Sequence, residues 1–378
     1  MPWKEVTTMS LRWDFVRLAH HEGANMSELC RRFGISRKTG YKWLQRYQQD
    51  GAEALLDQSR RPHASPNRTP AAIEELALQV RDRHPAWGGR KIRSLLLRND
   101  HADVPSASTI TAILHRNGRM NDEESVKHRA FQSFEKEHPN ELWQMDFKGH
   151  FPMTLGRHCH PLTVLDDCSR FLLCLRACAN ETRQTVQEQL TCIFRLYGLP
   201  DRMLMDNGSP WGDDGNNPYT RLTVWMLRLG IGISHGRPYH PQTQGKDERL
   251  HRTLKAELIS RRQFSDLCDC QMAFDHWRNT YNHVRPHQAL EMSVPGERYQ
   301  SSSRPFPEVL PPVSYDIGDI VRKVDVSGRI SFLNHKFRVG KAFHAQPVAL
   351  RPTDTDGVFN VFFCHKTIAQ ISFHDCND

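Results

Sequence analysis

The alternation of apolar and polar positions divides this chain into stretches of different period. Near the N-terminus the period is helical. Residues 9–23 carry Leu11, Phe15, Leu18 and Ala19 as one stripe and stop at Gly23. Met26–Phe33 reads as a short second helix with Ser27 as its cap candidate. Gly34-Ile35 then makes a tight turn, and Ser36 caps a third helix, Arg37–Tyr47, in which Tyr41, Trp43 and Leu44 are expected to pack. Residues 71–117 repeat the theme, with helices expected over Ala72–His84, Gly89–Asn99 and Ser108–Asn117.

In the middle of the chain the period shortens to that of strands. Leu142–Gly149, His160–Leu165, Phe171–Arg176, Arg202–Asp206 and Ile231–Ser234 are expected strands. Helices are expected at Thr182–Tyr197 and Tyr219–Leu229. Three strands followed by helix–strand–helix–strand–helix suit a mixed sheet covered by helices. A further helix, Asp266–His283, has Met272, Phe274, Trp277 and Tyr281 as expected core. From Tyr315 short strands alternate: Ile320–Val326, Arg329–Leu333, Lys336–Val339, Val348–Arg351, Val358–Cys364 and Ile368–Phe373, with turns at Gly328, Gly340 and Gly357. They predict a small all-β barrel.

The fold class is therefore multidomain: N-terminal all-α helix-turn-helix modules, a central α/β core with a mixed sheet, and a C-terminal small all-β barrel. The expected boundaries are 1–56 and 71–118 for the two helical modules, 141–300 for the core with its trailing helices, and 315–378 for the barrel. Linkers fill 57–70, 119–140 and the Pro/Ser-rich 301–314.

Charge sharpens the picture at the N-terminus. The chain carries +8, and its first 130 residues hold 22 Lys and Arg against 15 Asp and Glu, a balance of +7 that leaves +1 for the remainder. A basic third joined to a near-neutral remainder is the footprint of a nucleic-acid-binding part attached to something else. Two helices across a Gly turn, the second opening with basic residues, make the helix-turn-helix pattern. Arg37, Lys38, Thr39 and Lys42 are placed to meet DNA, and Arg60, Arg61 and Arg68 in the linker to follow its groove. A plain helical hairpin and a solvated linker are the bland alternatives. The 10 Cys form no Cys-x-x-Cys pair, which favours free thiols. No apolar run reaches the roughly 18 residues of a membrane span. Charged residues interrupt the first 20 positions, so no secretory signal is expected, and the location is read as cytoplasmic.

Three acids stand out. Asp146 lies inside the apolar Trp143-Gln-Met-Asp-Phe147 strand, where a carboxylate is costly without a positive partner. Asp206 ends a short strand and runs into the Asn207-Gly208 turn, the tip at which open α/β sheets place ligands. Glu248 opens a helix whose apolar stripe is Leu250, Leu254 and Leu258, and it shares the opposite face with Arg252 and Lys255. Carboxylates of this kind suit a hard divalent cation, and two such ions can clamp both oxygens of a phosphoryl displacement. Asp166, Asp167 and Asp247 rank below the three. Asp247 adjoins Glu248 but points about 100° away round the helix.

These segments resemble a known family. Trp143-Gln-Met-Asp-Phe147, Leu165-Asp-Asp-Cys-Ser-Arg-Phe171, Asp206-Asn-Gly208 and the run from His240-Pro-Gln-Thr-Gln-Gly245 to Lys255 are similar to bacterial insertion-sequence transposases, the DDE enzymes related to retroviral integrases. The resemblance implies an RNase H-like core and a metal-binding triad of Asp146, Asp206 and Glu248. It implies two Mg²⁺ or Mn²⁺ ions per site and a DNA-contacting Lys255. It also implies terminal inverted repeats and target DNA as partners, a homodimer or higher oligomer on that DNA, and a bacterial, nucleoid-associated location. Strand cleavage and strand transfer would be the reaction. The rivals are an inactive remnant that regulates by binding DNA, and a nuclease that only hydrolyses. The Asp206–Glu248 interval is longer than in retroviral integrases, with Gly212–Pro218 expected to absorb the difference, and a retroviral-type zinc module is not apparent.

Overall fold

The computed structural model describes residues 7–57, 69–120, 136–212, 219–236 and 245–375. It divides into two compact units, Met1–Arg68 and Thr69–Asp378.

The first unit is a bundle of α1 (Thr8–Ala19), α2 (Met26–Arg32) and α3 (Arg37–Asp50). Phe15, Val16, Cys30, Trp43 and Leu55 form its core. Gly34, at φ +64°, makes the turn between α2 and α3 that a side chain would resist. The Ser36 hydroxyl accepts from the Thr39 N–H at 3.2 Å and caps α3. Gly40 lets the helices approach, since a Cβ there would lie 2.7 Å from Cys30 Sγ and 2.8 Å from the Phe15 ring. Three sequence expectations change. The cap of α2 is Asn25, whose side chain accepts from the N–H groups of Ser27 and Glu28, not Ser27. Leu11 is exposed because the covered stripe runs through Met9, Phe15, Val16 and Ala19. Tyr41 is also exposed: Gly40 and Trp43 face inward, and one step round the helix turns Tyr41 out by about 100°.

The second unit opens with α4 (Ala71–Arg83), α5 (Gly89–Arg98) and α6 (Ala107–Arg116), packed round Ala77, Trp87, Ile92, Leu96, Ile110 and Leu114. This module rests on the rest of its unit through α5. Arg98 pairs with Glu297, and the Ser94 hydroxyl reaches the Met292 carbonyl at 3.4 Å. Val284 packs against the module's core. Burial, with Arg285 close by, lowers the Lys91 ammonium to about 8.

The core sheet contains β1 (Trp143–Phe147), β2 (Phe151–Pro152), β3 (His158–Asp166), β4 (Leu172–Cys178), β5 (Arg202–Met205) and β6 (Gly232–His235). Its order is β2-β3-β1-β5-β6, with β4 also paired to β3. β3 runs antiparallel to β1 and β4, whereas β1, β5 and β6 are parallel. Side chains alternate across a strand. Trp143, Met145, Phe147, Met203 and Met205 pack with α7 (Arg183–Tyr197) and α8 (Arg221–Arg228) on one face. Leu165, Leu172 and Leu175 pack with α9 (Gly245–Glu257) and α10 (Leu267–His283) on the other. The expected mixed sheet between helices is thus present. Met272, expected in the core, is exposed: α10 buries Cys270, Phe274, Trp277 and Tyr281 at i, i+4, i+7 and i+11, and position 272 faces away.

After the one-turn α11 (Pro295–Arg298) the chain enters the C-terminal strands β7 (Ile320–Lys323), β8 (Arg329–Phe332), β9 (His335–Arg338), β10 (Pro347–Pro352), β11 (Val358–Phe363) and β12 (Lys366–Ser372). The expected barrel does not close among the described residues. They form a four-stranded antiparallel sheet, β12-β11-β10-β7, and a separate β8-β9 hairpin. β7, β8 and β9 are four residues each, short for the tilted pairing on both edges that closure needs. Both sheets pack on one apolar core that includes Val224 and Leu227 of α8.

Candidate active site

β1 and β5 carry the first two acids. Trp143 pairs with Met203 and Gln144 with Leu204. Continuing this parallel register by two places sets Asp146 beside Asp206, at the C-terminal ends of neighbouring strands and on the face that looks toward α9. Strands lie about 4.8 Å apart, so these two carboxylates are near neighbours. The Asp146 carboxyl is driven up to about 7, first by burial, then by the charge of Asp206. Its side chain keeps 25% of its exposure, so it is reachable from outside. Asp206 is held by its own turn. Its Oδ1 accepts from the Gly208 N–H at 3.0 Å and from the Trp211 indole, and the Trp211 ring stacks on Phe147 at 5.4 Å. His235 Nδ1 lies 2.8 Å from the Asp206 carbonyl oxygen.

α9 covers this pair. Leu250 and Leu254 are buried, as the apolar stripe predicts, and Glu248, Arg252 and Lys255 share the exposed face. The inward polar residues are others: Asp247 and His251, both in the buried stripe. Asp247 is fully buried, and among the described residues neither carboxylate oxygen has a hydrogen-bond partner. Burial, with Asp146 and Asp167 nearby, holds its carboxyl well above the usual range. Its neighbour Lys246 is tied at 2.6 Å to Asp167 Oδ1. The His251 ring lies 3.8 Å from Asp146 Oδ2, and burial lowers its pKa to about 3. The sequence does carry a signal for both: Asp247, Leu250, His251 and Leu254 fall at i, i+3, i+4 and i+7.

Asp146 and Asp206 therefore meet, while Glu248 faces outward on the helix above them. Among the described residues no three His, Cys, Asp or Glu side chains stand close enough together to hold a metal ion. Asp166 and Asp167 are structural. Asp166 accepts from Asn140 N–H, Ser169 N–H and the Ser169 hydroxyl; Asp167 accepts from Lys136 N–H and Gln144 Nε2. Of the expected DNA contacts, Arg37, Lys38 and Lys42 are exposed and Thr39 half-buried on α3. Arg60, Arg61 and Arg68 lie outside the described residues, as does most of the loop before α9. A hollow of about 410 Å³ between His84, Trp87, Arg262 and Trp277 contains none of these acids. Cavity shape alone does not find this site.

The core and the helical modules match known protein families. Residues 136–241 and 229–295 match two integrase core domain families, and residues 319–377 match the C-terminal domain of the IS481 family transposases. These matches support an insertion-sequence transposase of the DDE, retroviral-integrase-like superfamily. The chain's N-terminal part matches a helix-turn-helix domain over 12–63 and a homeodomain-like domain over 39–114. Among curated relatives, the Gag-Pro-Pol polyprotein of sheep pulmonary adenomatosis virus is 33% identical over 131 residues, 34% of this chain and 7% of the polyprotein. An uncharacterized 31.7 kDa protein of insertion element IS407 from Burkholderia multivorans is 24% identical over 159 residues, 42% of this chain and 55% of that protein. The chain thus spans less than two thirds of the length of either. Among solved structures, a simian T-cell lymphotropic virus intasome in complex with a PP2A regulatory subunit contains a chain of 15% identity and TM-score 0.40, covering 79% of this chain and 96% of that one.

Proposed function

We propose that this chain is an active transposase. It binds the terminal inverted repeats of an insertion sequence, cuts the DNA there and joins the ends to target DNA. The observation that supports this most is the pairing of Asp146 with Asp206 at the ends of two parallel strands. A carboxyl pushed up to about 7 by burial and a like charge, despite Lys148 nearby, has room for a further cation, and an all-oxygen donor set suits Mg²⁺ or Mn²⁺. Asp146, Asp206 and Glu248 are the ligands of this reading, for two ions. Bound there, the ions would activate a water or a DNA 3′-hydroxyl and neutralise the leaving 3′-oxygen. The chain's own residues orient the site. Trp211 and Gly208 fix Asp206, and the Lys246–Asp167 ion pair anchors the first turn of α9. Arg252 and Lys255, exposed on α9 below Glu248, face the DNA backbone in this reading. Arg37, Lys38, Thr39 and Lys42 read the repeat, with Arg60, Arg61 and Arg68 following the groove. Two DNA ends call for a homodimer or larger assembly, at the bacterial nucleoid.

The outward position of Glu248 favours a second reading, a remnant that binds DNA and regulates without cutting. One set of variants separates the two. Labelled element ends are incubated with protein and Mn²⁺, and binding and nicking are followed together. Asp206→Asn and Glu248→Gln are expected to bind ends as the parent does and to lose nicking by at least about 100-fold, while Asp247→Asn retains it. No nicking by the parent chain establishes the remnant. Loss in Asp247→Asn with retention in Glu248→Gln moves the third ligand to Asp247. Nicking without joined products when target DNA is present leaves a nuclease.

A further inference from the structure

Behind Asp146 stands a short polar relay. Thr163 is its cross-strand partner in the β1–β3 register. The Thr163 Oγ1 lies 3.0 Å from the Asp146 carbonyl oxygen and 2.8 Å from His251 Nε2. A hydroxyl has one proton and a carbonyl can only accept, so that proton goes to Asp146. The hydroxyl oxygen then accepts from His251, whose Nε2 must carry hydrogen. This fixes the ring's orientation, and its Nδ1 edge is the one turned to Asp146 Oδ2 at 3.8 Å. His251 is 8% exposed and Thr163 not at all, so water does not compete for these bonds. The ring is thus tied through Thr163, while its Nδ1, left without hydrogen, faces Asp146 Oδ2 at 3.8 Å, beyond hydrogen-bond reach. An ordinary core histidine would satisfy its polar atoms anywhere. This one joins the helix bearing Glu248, through Thr163, to the backbone of Asp146.

We propose that His251, acting with Thr163, is a positioning residue that ties α9 to the β1 backbone at Asp146 and so holds the two at the spacing a divalent cation requires. The proposal rests on the reading of Asp146 as a metal ligand. Residues of this outer kind orient the ligand without touching the ion. Glu248 is three residues before His251 on the same helix, so the relay also sets how far α9 stands from the Asp146–Asp206 pair.

The test is Mn²⁺ affinity of the full chain without DNA, read as free Mn²⁺ by electron paramagnetic resonance. His251→Ala and Thr163→Val are each expected to weaken binding about 10–100-fold. His251→Gln, whose amide N–H can take the place of Nε2–H, and Thr163→Ser, which keeps the hydroxyl, should stay within about threefold of the parent. The double variant should be no weaker than the worse single, because the two side chains form one relay. Circular dichroism and urea unfolding confirm that each variant is folded at the assay temperature. An unchanged affinity in folded His251→Ala, or His251→Gln falling as far as His251→Ala, overturns the proposal. Asp146→Asn is the control for the underlying reading. If it binds Mn²⁺ like the parent, the metal assignment itself is wrong, and that outcome is distinct from failure of the relay alone.

Discussion

Asp146 occupies a place where its charge opposes folding. Its folded pKa of about 7 lies above the ordinary 3.8, so the folded state prefers the protonated acid. The stability this group contributes is therefore present at low pH and is lost as pH rises through about 7. Asp146→Asn removes the charge and keeps the shape. With divalent ions chelated, urea denaturation at pH 8 should find this variant more stable than the parent by on the order of 2 kcal/mol. A less stable Asn variant would mean that the carboxylate is compensated by a partner. Two histidines work in the opposite sense. Burial lowers His251 and His287 to about 3, well below 6.5, so both stay neutral in the fold. Their contribution is complete above pH 6.5 and is lost as pH falls toward 3. Between pH 6.5 and 5, His287 alone should remove about 2 kcal/mol of unfolding free energy. His287→Gln is expected to flatten that part of the profile, which urea titrations at the two pH values would measure. Asp146 and Asp206 were legible as residues, because a carboxylate in an apolar strand or at a strand tip is chemically conspicuous. The partners of Asp146 were not. His251 and Thr163 look like ordinary core and strand residues until two segments 88 positions apart meet in space.

Among the elements, the most informative comparison is between helix faces. The stripe of Leu250 and Leu254 was readable from its spacing, and so was the exposed row of Glu248, Arg252 and Lys255. What spacing could not say is which polar residue beside the stripe turns in. Asp247 and Glu248 are adjacent, and the packing of α9 on β1 decides between them. The same ambiguity misplaced Tyr41 and Met272, whose apolar character suggested burial although their angular position did not. The cap of α2 was misread for a related reason. Asn25 and Ser27 are both good caps, and only the backbone direction at Asn25 selects one. Glycine gives a sharper test of element packing. A Cβ on Gly89 would lie 2.3 Å from the Ala107 backbone oxygen and 2.4 Å from Thr111 Oγ1. Backbone cannot swing aside as a long side chain can. Gly89→Ala should therefore separate α5 from α6 and cost about 2–4 kcal/mol, seen as faster hydrogen exchange over residues 89–116. Unchanged exchange there would mean that the two helices have slack.

At the scale of the molecule, helical and strand periods are local signals, and the order of helices and strands follows them. Long-range pairing is a different matter. The parallel register that sets Asp146 beside Asp206 joins segments 60 residues apart, and no periodicity encodes it. The failure of the C-terminal strands to close also lies beyond local pattern, since turns and alternation are the same in an open sheet and a barrel. The seating of the second helical module on the core is the other relation the sequence did not disclose. Lys91, Ser94 and Arg98 lie on one side of α5 and read as a solvated helical face, yet they meet the core at Arg285, Met292 and Glu297.

That seating has a geometrical consequence. α5 is clamped, so α6 behaves as one end of a caliper whose other end is Asp146. Were a duplex held at α6, a leash would let the acids wander over many of its phosphates. A caliper would let them reach only those at one offset, and the measuring would then be done by the protein's own skeleton.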